Sequence, residues 1–197
     1  MAYSDFTLEK ARKSFDLTIS EKDDLFSGVD TLEPTAPLQE FLRENAPLAL
    51  QINTEKARSE MIIAPILLDL RKQLQHKISL FSGVEFNVNP ELGLNGVCDF
   101  LISGSIEQLF IEFPIAILVE AKKENITAGL GQCGAEMVAA QIFNQREGNA
   151  NLPILGVVTS GNLWKFLQLE DKLLKIDLNE YYLRDVSKIL GILATGV

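Results

Sequence analysis

The run FPIAILVEAKK, residues 113–123, constrains the fold more than any other stretch of the chain. From Ile115 to Val119 it is unbroken by a polar residue and rich in β-branched side chains. It is too short for a buried helix and shows no 3.6-residue rhythm. A strand of this kind must be covered on both faces, which places it centrally in a sheet with helices packed against it. The run then stops at four charges in five residues: Glu120, Lys122, Lys123 and Glu124. One reading is a strand reaching water, with a surface ion pair worth about 0–1 kcal/mol. The other is that Glu120 and Lys122 are placed together for chemistry.

The neighbours of this strand can be read in order. Thr54 is a candidate N-cap, and Ile63, Leu67, Leu70 and Leu74 follow the i, i+3 or i+4 rhythm of a buried helical face. Pro65 predicts a kink in that helix. Extended backwards, the apolar stripe lands on Glu60, a carboxylate that needs a partner if buried. ISLFSGVEFNV (78–88) predicts a strand, PELGLNG a turn, and VCDFLIS (97–103) a second strand. After the central strand, ITAGLGQCGAEMVAAQIFNQ (126–145) reads as a helix whose Gly129, Gly131 and Gly134 allow close approach of a sheet. LPILGVVTS (152–160) is a fourth strand, and LWKFLQL and KLLKIDL flank Glu170-Asp171 as a hairpin. EYYLRDVSKILGILAT closes the chain as an amphipathic helix, its apolar stripe suited to core or to a dimer surface. Trp164 is expected at the sheet edge, and His76 after a helix C-terminus, without a catalytic role.

This order predicts an α/β protein. Consecutive strands form a meander, and the helix between the third and fourth strands makes a right-handed crossover. The result is a mixed sheet with helices on both faces. Residues 1–53 read as an appendage of loops and short helices, one of them near Leu38–Asn45. Residues 54–197 read as the main domain, and the whole as a single globular unit. At 197 residues the chain can bury about 70% of its unfolded surface and needs no staples.

Charge and cysteine content narrow the function. A net charge of −9 argues against a protein that coats nucleic acid non-specifically, since that requires a large basic surface. It leaves room for an enzyme that meets a phosphodiester through a metal ion and a few local cations. Cys98 and Cys133 fit no metal spacing and are too few for a disulfide framework, so reduced thiols in a cytoplasmic protein are expected. Neither a membrane span nor a secretory signal is visible, and no membrane partner is expected.

Alternation along a strand puts Glu120 and Lys122 on one face, with Ala121 and Lys123 on the other. Asp99 follows the turn at Asn95-Gly96, and if its strand pairs with the central one it sits beside Glu120. Two adjacent carboxylates repel and favour a cation between them. All-oxygen ligation suits Mg²⁺ or Mn²⁺. Lys122 could orient a water or stabilise developing negative charge.

Gly96-Val97-Cys98-Asp99 followed by Glu120-Ala121-Lys122 resembles the Asp…(Asp/Glu)-x-Lys signature of the PD-(D/E)XK nuclease superfamily, the restriction-endonuclease-like fold. A helix carrying Glu60 precedes the strands, and the helix after the motif carries Gln132, where members often place a glutamine. TSGNLWKF is similar to a segment in the N-terminal nuclease region of type I restriction enzyme R subunits. The resemblance covers roughly residues 55–170. It departs at Cys98, where proline is common, and in the overall acidity.

The resemblance implies that Asp99 and Glu120 ligate Mg²⁺, joined by Glu60 and the carbonyl of Ala121. It implies that Lys122 positions the attacking water and that Gln132 completes the catalytic set. The reaction would be hydrolysis of a phosphodiester, in DNA or RNA, leaving a 5′-phosphate. A homodimer or a partner subunit would supply specificity. The rival reading, from another class, is an inactive nuclease-like module that binds a protein or nucleic acid. A third is action on a nucleotide or another small phosphoester. Glu136, one turn beyond Gln132, could extend the site, although a salt bridge is the simpler expectation.

Overall fold

In the computed structural model, which describes residues 1–148 and 151–197, an eight-stranded mixed sheet is sandwiched between helices. The elements run α1 (Leu8–Phe15), β1 (Thr18–Ser20), α2 (Ala36–Ile52), α3 (Glu55–Arg58), α4 (Ala64–Gln73), β2 (Ser79–Glu85), β3 (Val97–Ser103), β4 (Ile115–Ala121), α5 (Ile126–Gly148), β5 (Ile154–Thr159), β6 (Leu163–Glu170), β7 (Leu173–Ile176), β8 (Tyr181–Tyr182) and α6 (Val186–Ala194). The strand order is β1-β7-β6-β5-β4-β3-β2, with β8 paired to β6. The expected meander is present as antiparallel β2-β3-β4, and α5 connects β4 to the parallel strand β5.

The FPIAILVEAKK run lies where its apolarity demands. Every residue of β4 from Ile115 to Ala121 is buried. Leu118 packs into the core beneath α1 and α5, while Ile117 and Val119 pack into the core beneath α2, α4 and α6. Over Ile117, Leu118 and Val119 the two cores take alternate residues, the result expected for a strand covered on both faces. Asn144 of α5 completes the dock at the strand's beginning. Its amide donates to the Ile115 carbonyl at 2.7 Å and accepts from the Ile115 N–H at 2.8 Å, as a neighbouring strand would.

The glycines of α5 act as expected. A Cβ on Gly129 would lie 2.6 Å from a Val158 methyl, and one on Gly131 would lie 2.2 Å from the Thr7 backbone. The second contact shows what the first residues do. Tyr3, Phe6, Ala11 and Phe15 belong to the core under α5, and β1 extends the sheet by pairing in parallel with β7.

The irregularity near Pro65 takes a specific form. Between α3 and α4 the chain makes a π-helical turn, Ser59–Ile63, just before Pro65. The Ala64 N–H bonds to the Ser59 carbonyl, one residue further back than in an α-helix. Such turns absorb an irregularity without ending the helix. Several expectations need correction. The helix expected near Leu38–Asn45 runs over Ala36–Ile52 and tolerates Pro47 inside it. β2 stops at Glu85, short of the expected Val88, and Phe86 bonds onward to the Gly96 carbonyl as the chain enters the turn. The closing helix begins only at Val186. The Tyr181 hydroxyl donates to Asp177 and its ring packs edge-on against Phe166, which holds that residue in β8. Trp164 is not at the sheet edge. β6 has strands on both sides, and the indole is fully buried, donating to the Gly161 carbonyl.

Replacing Asn144 with Leu would strand a buried N–H and a buried C=O at the start of β4. A loss of about 1–3 kcal/mol for each stranded group is expected. Chemical denaturation of wild type and Asn144→Leu, compared at constant m-value, checks this.

Candidate active site

The ladder between β3 and β4 pairs Phe100 with Val119 and then opens. In the same register Asp99 lies across from Glu120. The Asp99 side chain fills the gap, its Oδ2 accepting from the Ala121 N–H at 2.8 Å. On the other side of β3, Ser82 pairs with Phe100 and Val84 with Cys98, so Gly83 and Asp99 face each other outside the ladder. Gly83 adopts a positive φ there, and a Cβ on it would meet nothing. The result is a cleft of about 280 Å³ lined by Glu55, Lys56, Ser59, Glu60, Ser82, Gly83, Asp99 and Ala121.

Glu120 and Lys122 share a face, as alternation predicts, and that face looks toward α5. Lys122 Nζ donates to Glu120 Oε1. Gln132, reaching up from α5, donates to Glu120 Oε2 at 2.8 Å and accepts from Lys122 Nζ at 3.2 Å. The Gly129 position leaves space for the stem of Lys122, whose Cγ would lie 3.1 Å from a Cβ there. Three of the expected residues, Glu120, Lys122 and Gln132, thus form one hydrogen-bonded unit, with Asp99 against the adjacent backbone.

Electrostatics follow from burial. The Glu120 side chain is 2% exposed. Burial, with the Asp99 charge beside it, pushes its carboxyl up to about 8 despite the Lys122 ammonium. Burial also raises Asp99, opposed by the Ala121 N–H and by Lys122. Burial works against the charge on Lys122, but the Glu120 carboxylate outweighs it and holds the ammonium above the usual lysine range. Glu136 is wholly buried and is raised strongly, by burial and then by Glu120.

Glu60 is placed differently. It sits in the π-turn with its side chain 57% exposed and its Oε1 2.6 Å from Lys56 Nζ. It lines the same cleft as Asp99 but is turned to its own helix, and its partner is a solvated cation rather than the core. Among the described residues no three His, Cys, Asp or Glu side chains are gathered as a metal cluster. The oxygen donors that remain are two neighbouring carboxylates, Asp99 and Glu120, and the backbone of Ala121. This set fits a hard divalent cation that takes one or two carboxylates and keeps several waters, and it offers nothing to a soft metal. The excess of carboxylate over ammonium at this point favours such a cation.

Lys123 is exposed, 3.9 Å from Glu124. His76 follows α4 and stands 2.8 Å from Arg71, remote from the cleft residues in the fold. The salt bridge expected for Glu136 is not formed; its one partner is Gln132. Sequence reasoning missed Glu55, Lys56, Ser59, Ser82 and Gly83. Lys56 was accessible in principle, four residues before Glu60 on one helix face. Gly83 within a strand pattern is a known sign of a bulge. Ser82 reaches the cleft only through antiparallel pairing and carries no local signal. Both cysteines are free and buried, and no helix among the described residues is long and apolar enough to cross a membrane.

No protein-family model matches the chain, and no curated protein matches it in sequence.

The raised Glu120 carboxyl has a definite linkage sign. A carboxyl with a folded pKa above its unfolded value contributes stability in full below the unfolded value and loses it as pH rises through the folded one. Stability of the metal-free protein is therefore expected to fall between about pH 4.5 and about pH 8, with Glu136 acting in the same sense. Urea midpoints across that range should decline in wild type and decline less in Glu120→Gln.

Proposed function

We propose that the protein is a Mg²⁺- or Mn²⁺-dependent phosphodiesterase of the PD-(D/E)XK kind, acting on nucleic acid, with DNA favoured over RNA. The observation that carries this reading is the end of β4. A buried carboxylate, Glu120, is bonded to Lys122 and Gln132, and Asp99 is held against the next backbone N–H. A mere strand end would leave Glu120 in water, where its ion pair would contribute little. Here the carboxylate is taken out of water beside a second one, at several kcal/mol of desolvation, in a place where hydrophobic residues would pack more cheaply.

Asp99, Glu120 and the Ala121 carbonyl would hold the cation, with Glu60 reaching it across the cleft through water. A bound divalent ion would polarise a phosphoryl oxygen and lower the pKa of a water at neutral pH. Lys122 has two tasks that its own position supports. Its ammonium, two-point bonded to Glu120 and Gln132, can orient a water beside the cleft, and it can stabilise the negative charge that builds on the phosphoryl oxygens. Gln132 holds both Glu120 and Lys122, so neither needs to reorganise during the reaction. The cleft, lined by α3 and β2 among others, is partly open to solvent, which suits a polymer as well as a small phosphoester.

A second reading, a nuclease-like module that binds a partner without cutting, is favoured by the acidity of the rim. Glu55 and Glu60 stand at the cleft, and the chain carries a net charge of −9. A polyanion meets repulsion there unless cations intervene. Cation binding and cleavage, measured together, separate the two readings.

Asp99→Ala and Lys122→Ala are each expected to reduce Mn²⁺-dependent cleavage about 100-fold or more while the fold persists. The assay is a panel of double-stranded, single-stranded and branched DNA, RNA and small phosphoesters, with circular dichroism on each variant. Calorimetric Mn²⁺ titration of wild type and Glu120→Ala is the companion measurement, with binding lost in the variant. Wild type that binds Mn²⁺ but is inert on every substrate favours the module. Wild type that binds no Mn²⁺ sinks the enzyme reading.

A further inference from the structure

Four acidic side chains are buried among the described residues: Asp69, Glu120, Glu136 and Asp177. Three have evident employment. Asp69 accepts from the Thr35 N–H and hydroxyl and from Gln73, anchoring the start of α2. Asp177 accepts from the Leu25 and Asn179 N–H groups and from the Tyr181 hydroxyl. Glu120 is held by Lys122 and Gln132. Glu136 differs. It is fully buried and forms no salt bridge, its Oε1 accepts a single bond, and its Oε2 has no partner. A buried polar atom left unpaired is costly, and a Leu or Met at this place on α5 would serve the core better.

The single bond that Glu136 does make comes from Gln132. An amide has two N–H donors and one carbonyl, and Gln132 uses all of them on charged or acidic partners. Its carbonyl oxygen accepts from Lys122 Nζ at 3.2 Å. Its nitrogen donates to Glu120 Oε2 at 2.8 Å and to Glu136 Oε1 at 3.2 Å. Two acceptors on the nitrogen side and one donor on the carbonyl side leave one orientation of the amide. Without Glu136 one N–H would lie unpaired in a dry place, and the half-exposed Gln132 could recover that bond only by swinging toward water. Doing so would release both Glu120 and Lys122. Burial raises the Glu136 carboxyl strongly and so disfavours a further full charge beside Glu120, while its Oε1 accepts this bond.

We propose that Glu136 is a positioning residue: a buried acid that locks the Gln132 amide in the orientation that supports Glu120 and Lys122. In its consequence for cation binding this rests on the reading of the site given above, but the lock itself is a property of the chain. Groups that orient a metal ligand from behind commonly change affinity about 10–100-fold when removed.

Two measurements on ¹⁵N-labelled protein test it. The Gln132 side-chain NH₂ resonances, assigned by their loss in Gln132→Leu, are followed by solvent exchange in wild type, Glu136→Leu and Glu136→Gln. Mn²⁺ affinity is titrated in the same proteins and in the Gln132→Leu/Glu136→Leu double variant. Glu136→Leu is expected to speed exchange of the amide protons about tenfold and to weaken Mn²⁺ binding about 10–100-fold. Glu136→Gln, which keeps an acceptor, should restore both. The double variant should bind no more weakly than Gln132→Leu, because Glu136 acts through Gln132. Unchanged exchange in Glu136→Leu, or additive losses in the double variant, would overturn the proposal. If Glu136→Leu fails to fold, Glu136→Met carries the same comparison. Wild type that binds no Mn²⁺ would remove the metal-site reading, while the exchange arm would still decide the role of Glu136.

Discussion

The burial of Glu120 is the constraint around which the rest of the molecule is arranged. A carboxylate can leave water only if its oxygens are taken up by donors and its charge is answered or removed. The chain meets both conditions with residues from two elements: Lys122, two positions along β4, and Gln132, on the helix laid across it. That helix must then sit at a fixed height over the strand. Gly129 lets α5 approach β5 and leaves room for Lys122, and Asn144 ties the far end of α5 to the first residue of β4. The N-terminal segment packs on the outer side of α5 at Gly131 and holds the helix down. Much of the α1–α5 layer can thus be understood as the support of one acidic side chain.

The opposite layer has a different task. α3, the π-turn and α4 form one continuous helix whose apolar side covers the sheet through Ile62, Ile63, Ile66 and Leu67. Its irregular turn brings Ser59 and Glu60 to the same cleft as Ser82, Gly83 and Asp99. The cleft exists because three irregularities coincide. A π-turn interrupts the helix before Pro65, Gly83 takes a positive φ within β2, and the β3–β4 ladder ends one residue before Asp99 and Glu120. Irregular backbone that gathers polar groups at one place is more informative about function than regular structure, since each irregularity costs stability unless it is used.

Much of this was legible in the chain itself. The apolar run before Glu120 dictated a two-sided central strand, and strand alternation placed Glu120 with Lys122. The spacing of consecutive strands implied the meander that carries Asp99 to the same strand end. Errors arose where distant residues compete for a segment. The tyrosines at 181 and 182 carry no helix-breaking signal, yet Phe166, Asp177 and β6 draw them into the sheet. Trp164 reads as an edge residue until β7 and β8 close over its strand.

Periodicity is local, and so the sequence by itself determined which residues alternate, which runs are buried and which charges interrupt them. It also determined the α/β class, because an unbroken apolar strand requires cover on both faces. The tertiary structure alone decided what those charges meet. It turned Glu60 toward Lys56, set Asp99 on the Ala121 N–H, and buried Glu136 behind Gln132 without a counter-ion. These outcomes depend on sub-ångström packing between elements tens of residues apart. Hydrogen bonds and desolvation vary steeply over such distances, whereas hydrophobic pattern does not.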